Sequence, residues 1–240
     1  MVILASNHNT EHDRAVKLSY GGQMPRADAA RNRRSLLDAA SAELAAHGLD
    51  VSIARIAARA GVAKGTVFNH FPSKEDLVAE IFGDRVAGLV ALGEGLRDAV
   101  DPGSALLQFM TAGIELHAND RSLCEAAASI SRADPRVREA SEGLAQVAED
   151  LTGRARRAGV IRADVTGHDI VLLFNAAAQA AAPLGDTVPG LWRRYLHLIF
   201  DGLRPEAAHQ LPVAAPTTED FNTAAQNARA NTLDQRNRHR

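Results

Sequence analysis

One stretch of the sequence, Ser52–Leu77, decides the fold: SIARIAARAGVAKGTVFNHFPSKEDL. Apolar residues recur at helical spacing in its first third, so a helix there can bury one face. Gly61 follows and supplies the positive-φ position that ends this helix. A second short helix ends before Pro72, because proline lacks the backbone N–H that a helix interior requires. Ser73 and Asp76 then form an S-x-x-D cap for a third helix.

Two short helices joined by a tight turn are typical of a helix-turn-helix motif, whose second helix lies in the major groove of DNA. Val62 and Val67 point inwards, which leaves the polar side chains of the second helix on its other side. Gly65 keeps the start of this helix open, where backbone N–H groups can approach a phosphate. Lys64 and Lys74 flank the helix as cationic partners for phosphate. The stretch therefore predicts a DNA-reading helix.

The same residues resemble the signature of the TetR family of transcriptional repressors. The pattern AxxAGVxxGTxxxHFPSKEDL is matched from Ala57 to Leu77, and a weaker similarity extends over a three-helix head. The resemblance implies an N-terminal DNA-binding head and a C-terminal helical domain for ligand binding and dimerisation. The alternative interpretation of the stretch is an ordinary helical hairpin with a Pro-terminated turn.

The resemblance also implies, position by position, which residues touch DNA. Asn69 is the best candidate for reading adenine, because its amide donates and accepts in a bidentate pair. The family often has Ser or Thr at the position of Ala63 and Tyr at that of Phe68, so two phosphate-contacting hydroxyls are missing here. Phe68 either touches a thymine methyl or packs. The other expected contacts are Ser52, Arg55 and Lys74 to phosphate, Lys64 and Thr66 to phosphate or a base edge, His70 to backbone or base, and Gly65 at the helix start.

Composition is compatible with this reading. The chain has 240 residues, 46% of them hydrophobic, which is enough for one or two cored domains. It has no apolar run long enough to span a bilayer and no signal peptide pattern. The single cysteine, Cys124, excludes an internal disulfide and suits a reducing cytoplasm. The net charge is −2, but residues 24–77 carry eight Lys or Arg against six Asp or Glu, as expected for a basic head on an acidic body.

The domain organisation follows from the helical pattern. We predict a flexible tail (1–25, with Met24 as an alternative start), a DNA-binding head (26–78, with the helix-turn-helix at about 52–71), a helical ligand-binding and dimerisation domain (79–204) and a disordered tail (205–240). No stretch alternates as a β-strand does, so the fold class is all-α. The remaining helices are predicted over residues 28–47, 73–97, 103–119, 121–132, 135–158, 168–182 and 189–203.

Local signals mark the ends of several of these helices. Asp101 and Asp134 each precede a proline and can cap a helix, and Thr166 with Asp169 makes a capping box. The helix after Ser73 contains several glycines, which lower helix stability by up to about 1 kcal/mol each relative to alanine. We therefore expect packing to hold this helix, and its far end to bend or fray.

The last two predicted helices indicate self-association. Residues 168–182 are apolar nearly all round, broken by Asn175 and Gln179, and such a helix must be covered on every side. We expect a two-fold dimer through a four-helix bundle, with an intramolecular bundle as the alternative. The operator is then an approximate palindrome with half-sites about 34–36 Å apart. The predicted dimer interface consists of Ala177, Ala181, Leu191, Trp192, Tyr195, Leu196 and Ile199.

The middle of the chain resembles the family's ligand-binding body, in which a small molecule binds and operator affinity is lost. Asn175 and Gln179, four residues apart, either face a pocket or hydrogen-bond across the dimer. His117, near a helix end, fits a C-cap or surface histidine better than a ligand contact. Cys124 fits a small core residue better than a redox sensor. Neither a cofactor nor a metal is expected, since caps and surface charge explain Asp164, His168 and Asp169. The candidate lining residues are Phe109, Met110, Leu116, His117, Cys124, Phe174, Asn175 and Gln179.

Two rival functions remain open at this point. An all-α enzyme has little support, because the sequence lacks an HExxH pair, a phosphate loop and a nucleophile with a placed base. A ligand-binding or structural module of the same fold that no longer reads DNA would explain the missing hydroxyls at Ala63 and Phe68. The sequence favours a non-enzymatic, cytoplasmic, nucleoid-associated repressor with double-stranded DNA, a small-molecule effector and a second copy of itself as partners, and no membrane.

Overall fold

The computed structural model describes residues 26–129, 134–185, 187–221, 223–224 and 226–227. Helices dominate these residues, and no β-strand occurs among them, as the all-α prediction requires. The predicted tail over residues 1–25 lies outside the described part. In chain order the helices are α1 (Arg26–His47), α2 (Ile53–Ala60), α3 (Lys64–His70), α4 (Lys74–Gly95), α5 (Pro102–Asn119), α6 (Arg121–Ser129), α7 (Pro135–Arg157), α8 (Gly167–Ala181) and α9 (Trp192–Gly202).

The head is formed by α1, α2, α3 and the first half of α4 around one apolar core. Leu36, Ala40 and Leu44 follow each other at intervals of four and form the buried stripe of α1. Val67 is the buried residue of α3, which leaves most of this short helix uncovered. The other buried members of the head core on these elements are Val51, Ile56, Ala57, Phe71, Leu77, Val78 and Ile81.

Helix α6 joins the head although it lies far from it in sequence. Leu123 and Ala126 are buried in the same core as α1 and α4. The opposite side of α6 borders a large cavity of the C-terminal domain, to which Cys124 and Ala127 contribute. The two domains are therefore joined by the second half of α4 and by a helix that has one face in each of them.

The C-terminal domain packs α4 against α7, α7 against α8, and α5 between α7 and α8. Phe109 of α5 and Phe174 of α8 lie edge to face in its core, with ring centroids 5.6 Å apart. Gly113 permits this packing, since a Cβ there would lie 2.4 Å from the Phe174 ring. The fully buried side chains around them include Leu106, Met110, Ile114, Leu151 and Ile161.

The glycines of α4 differ in how closely their surroundings are packed. Helix α4 runs without interruption from Lys74 to Gly95. At Gly93, a Cβ would lie 2.2 Å from Cγ1 of Val147 and 3.0 Å from the Phe109 ring, so this glycine is required by helix packing. At Gly88, nothing lies within 4 Å of a Cβ.

The predicted helix caps are present. Ser73 accepts from the Asp76 backbone N–H, Asp101 and Asp134 cap helices that begin with proline, and Thr166 forms a full capping box. The start of α9 differs, because it lies at Trp192 and not at residue 189. Gly190 has a φ of 77°, a left-handed conformation that delays the helix by turning the chain after Pro189.

The described part of the segment after Pro205 also differs from the expected disordered tail. Residues 218–221 are helical, and Thr217 and Asp220 cap this turn with reciprocal hydrogen bonds. The Phe221 ring stacks on His168 of α8, with centroids 5.1 Å apart. Phe221 thus packs on the body, and the Thr217–Asp220 pair caps the turn from within the segment.

Candidate nucleic-acid interface and effector cavity

Helix α3 projects from the head with most of its side chains in solvent. Lys64, Gly65, Phe68 and Asn69 are exposed, whereas Val67 anchors the helix in the core. Thr66 and His70 are half-buried beside them. This arrangement presents an amide, a cation and a hydroxyl on one short helix, which are groups that can contact bases and phosphates in the major groove.

The turn before α3 fixes the angle between the two motif helices. Gly61 has a φ of 69°, and its backbone N–H donates to carbonyls of Ala57 and Ala58 at the end of α2. The Val62 N–H donates to the Ala57 carbonyl at 3.0 Å. These bonds satisfy the last carbonyls of α2. Gly61 therefore has the role that the sequence assigns to it.

Two positions of the interface carry no hydroxyl. Ala63 occupies the N-cap of α3, where a serine or threonine hydroxyl could accept a hydrogen bond from the helix. The methyl group of Ala63 makes no such bond. Phe68 is 42% exposed, and the Lys64 ammonium lies 5.7 Å from its ring centroid. An exposed aromatic ring is costly to leave in water and is available for apolar contact.

Two arginines of α2 are held by a buried carboxylate that the sequence reasoning missed. Glu43 of α1 is 4% exposed and accepts from Arg55 Nε at 2.6 Å and from Arg59 at 3.1 Å. Burial would by itself raise the pKa of Glu43, but the hydrogen bonds from Arg59 and Arg55 outweigh it, and the pKa is lowered. Arg55, expected at phosphate, is thus also a structural residue, while Ser52 beside it is exposed and caps α2.

A second ionic cluster ties α1 and α7 to the N-terminal half of α4. Arg33 donates to Glu80 at 2.5 Å, and its guanidinium lies 4.6 Å from the Phe71 ring centroid. Arg136 of α7 donates to Asp76 at 2.6 Å. Both contacts of Arg33 are therefore made within the fold. Lys74 is half-buried at the start of α4.

The C-terminal domain contains a cavity of about 1420 Å³, larger than the 300–1,000 Å³ typical of ligand sites. Five of the predicted lining residues border it: Leu116, His117, Cys124, Asn175 and Gln179. The other three, Phe109, Met110 and Phe174, are fully buried in the core and do not line it. Helical spacing identifies buried residues but does not separate a cavity wall from the core behind it.

His117 is held in one orientation at the cavity wall. Its Nδ1 lies 3.1 Å from the Gly113 carbonyl oxygen, and its ring packs 6.3 Å from that of Phe174. Burial lowers the pKa of His117, and the bond to Gly113 offsets this only in part. Cys124 also borders the cavity, where burial, with Asp120 and Glu125 nearby, raises the pKa of its thiol to about 11. A thiol of this kind is protonated and unreactive at neutral pH.

The residues considered as metal ligands have other partners. Asp164 accepts from Arg162 at 2.6 Å, Asp169 belongs to the capping box of α8, and His168 stacks on Phe221. Across the described residues, no cluster of three or more His, Cys, Asp or Glu side chains could hold a metal ion. Nor is any helix in the described part long and apolar enough to cross a bilayer.

Helices α8 and α9 leave an apolar surface uncovered. Only some of the predicted dimer-interface residues lie on it. Four of them, Ala177, Ala181, Trp192 and Leu196, are buried within the protomer's own core. Helix α8 packs on α5 and α7, and α9 packs on α5 and α8. Leu198 is 55% exposed. The surface, called here the α8–α9 outer face, consists of Leu172, Ala176, Ala180, Leu191, Tyr195, Leu198 and Ile199.

Comparisons with known proteins agree with this geometry. Residues 36–81 match the family model described as bacterial regulatory proteins, tetR family, and residues 101–205 match that of the C-terminal domain of SbtR-like transcriptional regulators. A search of curated proteins gives no match.

Solved structures extend the likeness over most of the chain. A TetR transcription regulatory protein from Mycobacterium vanbaalenii is 36% identical, with 75% of this chain and 98% of that chain covered and a TM-score of 0.53. The TetR transcriptional regulator SCO0520 from Streptomyces coelicolor is 27% identical, covers 72% and 98%, and has a TM-score of 0.54. The regulator FadR from Bacillus subtilis, solved with stearoyl-CoA, shares the fold at 18% identity, with 73% and 99% covered and a TM-score of 0.59. The chain belongs to the TetR family of DNA-binding transcriptional regulators.

Proposed function

We propose that the chain is a dimeric repressor that binds a palindromic operator and releases it when a small molecule occupies the C-terminal cavity. The observation that carries the proposal is the exposure of Lys64, Gly65, Phe68 and Asn69 on a helix anchored in the head by Val67. A helix that protrudes in this way fits the major groove without rearrangement of the core.

The contacts divide into those that position the head and those that read sequence. Lys64 and Lys74 neutralise phosphate, and Ser52 lies at the N-terminus of α2 where a phosphate can approach. Asn69 pairs with adenine through its amide. Thr66 and His70, on the same helix, contact the backbone or neighbouring bases. Phe68 touches a thymine methyl, which is the apolar contact open to it in the absence of a hydroxyl.

Dimerisation through the α8–α9 outer face brings two heads onto one duplex. This face is apolar and lies on helices whose other sides are already covered in the protomer. An isologous interface uses the same patch on both copies, so it requires no further complementary surface. The two-fold axis that results accounts for a palindromic operator.

Helix α6 connects effector binding with the head. Leu123 and Ala126 lie in the head core, whereas Cys124 and Ala127 border the cavity, so a displacement of α6 reaches both. The effector must bind the DNA-incompetent arrangement more tightly, because only a difference in affinity between two states moves their equilibrium. Two solved relatives of the same fold were described as a regulator with stearoyl-CoA and a gamma-butyrolactone receptor, which is compatible with ligand control here.

Family and fold are those of transcriptional regulators, which typically are not enzymes. The proposed partner, chromosomal DNA, sets the place of action in the cytoplasm at the nucleoid. Repression is the family's usual mode and is the mode that we propose.

Selection of binding sites from genomic fragments with the purified full-length chain tests the proposal. We expect enrichment of an approximate palindrome, and an affinity that falls steeply as salt rises because phosphate contacts release counterions. An exposed arginine outside the head, Arg157, provides a control: Arg157→Ala should leave the affinity unchanged. Failure to enrich any fragment, or an affinity indifferent to salt, would reject DNA reading and favour the module without it.

A further inference from the structure

The chemical class of the effector can be argued from the cavity wall, on the basis of the proposed function. The wall combines apolar side chains from α4, α5, α7 and α8 with polar and charged groups, and its apolar surface is the larger. His117 stands on α5, and Asn175 and Gln179 stand one turn apart on α8, which packs against α5. Apolar members of the lining include Val86, Leu116, Leu144, Val171, Ala178 and Trp192.

The hydrogen-bonding role of His117 is fixed by its backbone partner. The Gly113 oxygen can only accept, so Nδ1 of His117 must carry the hydrogen that occupies the 3.1 Å contact. Burial in the wall lowers the pKa of the ring, which keeps the neutral form at physiological pH. In neutral imidazole one nitrogen donates and the other accepts, so Nε2 is an acceptor. No hydrogen bond from a described residue reaches that nitrogen.

Charged side chains at the cavity are matched by opposite charges. One pair lies on α6 and two lie on α7. Because each of these arginines has a carboxylate partner, none of them offers an unpaired cation to an acidic ligand. Exposed pairs of this kind gain little energy, but they neutralise each other's field. The pairs are Arg121 with Glu125, Arg138 with Glu142, and Glu149 with Arg156.

We infer that the effector is an uncharged, mainly apolar molecule with a hydroxyl group that donates a hydrogen bond to Nε2 of His117. A hydroxyl also accepts, so the amide groups of Asn175 and Gln179 can donate to the same oxygen or to a second polar group. A carboxylate is disfavoured at this point, because it has no hydrogen to donate and its negative charge would face the lone pair of Nε2. This class differs from an acidic or nucleotide-bearing ligand.

The single tryptophan makes the inference measurable. Trp192 borders the cavity and is the only tryptophan of the chain, so a ligand bound there changes its fluorescence. Matched probes are 1-decanol, its methyl ether and decanoate, which share a chain length and differ in the polar end. The full-length protein is titrated with each probe at neutral pH.

We expect 1-decanol to bind about 2- to 10-fold more tightly than the methyl ether, the range that one neutral hydrogen bond gives, and decanoate to bind more weakly than the alcohol. His117→Phe should abolish the preference for the alcohol while it keeps a ring against Phe174, and His117→Gln, whose amide oxygen can accept, should restore part of it. His197→Phe alters an exposed histidine of α9 that does not border the cavity and should keep the preference in full.

Three results would overturn the inference: equal binding of alcohol and ether, a preference that survives His117→Phe, or tightest binding of decanoate. Absence of binding by every probe would also reject this effector class. Operator binding is measured separately without a probe. A protein that binds no DNA but still prefers the alcohol through His117 would reject the proposed function and leave the ligand class intact.

Discussion

At the scale of single residues, the proposed function assigns affinity and specificity to different side chains of α3. Lys64 is exposed and its charge acts on any phosphate, whereas the Asn69 amide can recognise one base edge. The two side chains lie on the same short helix, so their substitutions disturb the fold equally little. A difference between them must then come from what each one contacts on DNA.

We expect Lys64→Ala to weaken binding to all sequences and to reduce the slope of log K against log salt by about 1. Asn69→Ala should cost about 1–3 kcal/mol on the selected operator and much less on random DNA, because it removes a base contact. Fluorescence anisotropy with both duplexes at several salt concentrations measures these effects. Equal losses on operator and random DNA would refute the role of Asn69.

Glu43 is a residue whose ionisation links the stability of the head to pH. Its folded-state pKa is lowered, so the ionised carboxylate stabilises the fold above the unfolded pKa of about 4.3, and this contribution disappears as the pH falls through the folded value. Glu43→Gln should therefore lower the urea midpoint at pH 7. The difference from the unsubstituted protein should shrink as the pH is lowered below about 4.3.

Asp50, an exposed carboxylate at the end of the 3₁₀ turn after α1, offers the matched control. Asp50→Asn should leave the urea midpoint nearly unchanged at both pH values. If Glu43→Gln and the unsubstituted protein showed the same midpoint at neutral pH, the hydrogen bonds from Arg55 and Arg59 would contribute nothing to stability.

At the scale of elements, α4 gives a paired test of packing against helix propensity. Gly93→Ala adds a methyl group at 2.2 Å from Val147, whose side chain is itself buried, so we expect a loss of about 1–3 kcal/mol from overpacking. Gly88→Ala adds the same group where nothing lies within 4 Å, so we expect a gain of up to about 1 kcal/mol from propensity. Urea denaturation of both variants gives the free energies of unfolding. Stabilisation by both would show that the helices can move apart at Gly93.

The elements also show where sequence reasoning succeeds. The caps at Ser73, Asp101, Asp134 and Thr166 are local, because each side chain bonds a backbone group two or three residues away, and all were predictable. The position of Gly61 was predictable for the same reason. The start of α9 was not, since it depends on the left-handed conformation of one glycine after a proline.

Contacts between distant parts of the chain were beyond the sequence pattern. The sequence around Glu43 predicts a helix and nothing about its partners. In the structure, Glu43 of α1 accepts hydrogen bonds from Arg55 and Arg59 of α2. Phe109 and Phe174 have the periodicity of lining residues, but their mutual packing places them behind the cavity wall. Periodicity assigns a face to a helix, and only the tertiary structure says what that face meets.

At the scale of the whole molecule, the proposed two-fold dimer would join the two proposed functions of the chain. One head offers a single α3 to one major groove, and a second copy is needed to read a palindrome. The α8–α9 outer face is the surface whose burial would supply this symmetry. Leu198 is its most exposed leucine and does not border the cavity.

Leu198→Glu should therefore convert the dimer to a monomer, because two carboxylates related by the axis would be buried next to each other in an apolar interface. The head of the variant stays intact, so we expect it to keep weak, salt-sensitive binding to random DNA and to lose most of its affinity for the selected operator. Sedimentation velocity reports the mass of the particle, and anisotropy reports the two affinities. Val100→Glu, at a fully exposed position between α4 and α5, is the matched control and should remain dimeric. A Leu198→Glu protein that still sedimented as a dimer would move the interface elsewhere on the body, and a monomeric variant with full operator affinity would remove symmetry from the mechanism.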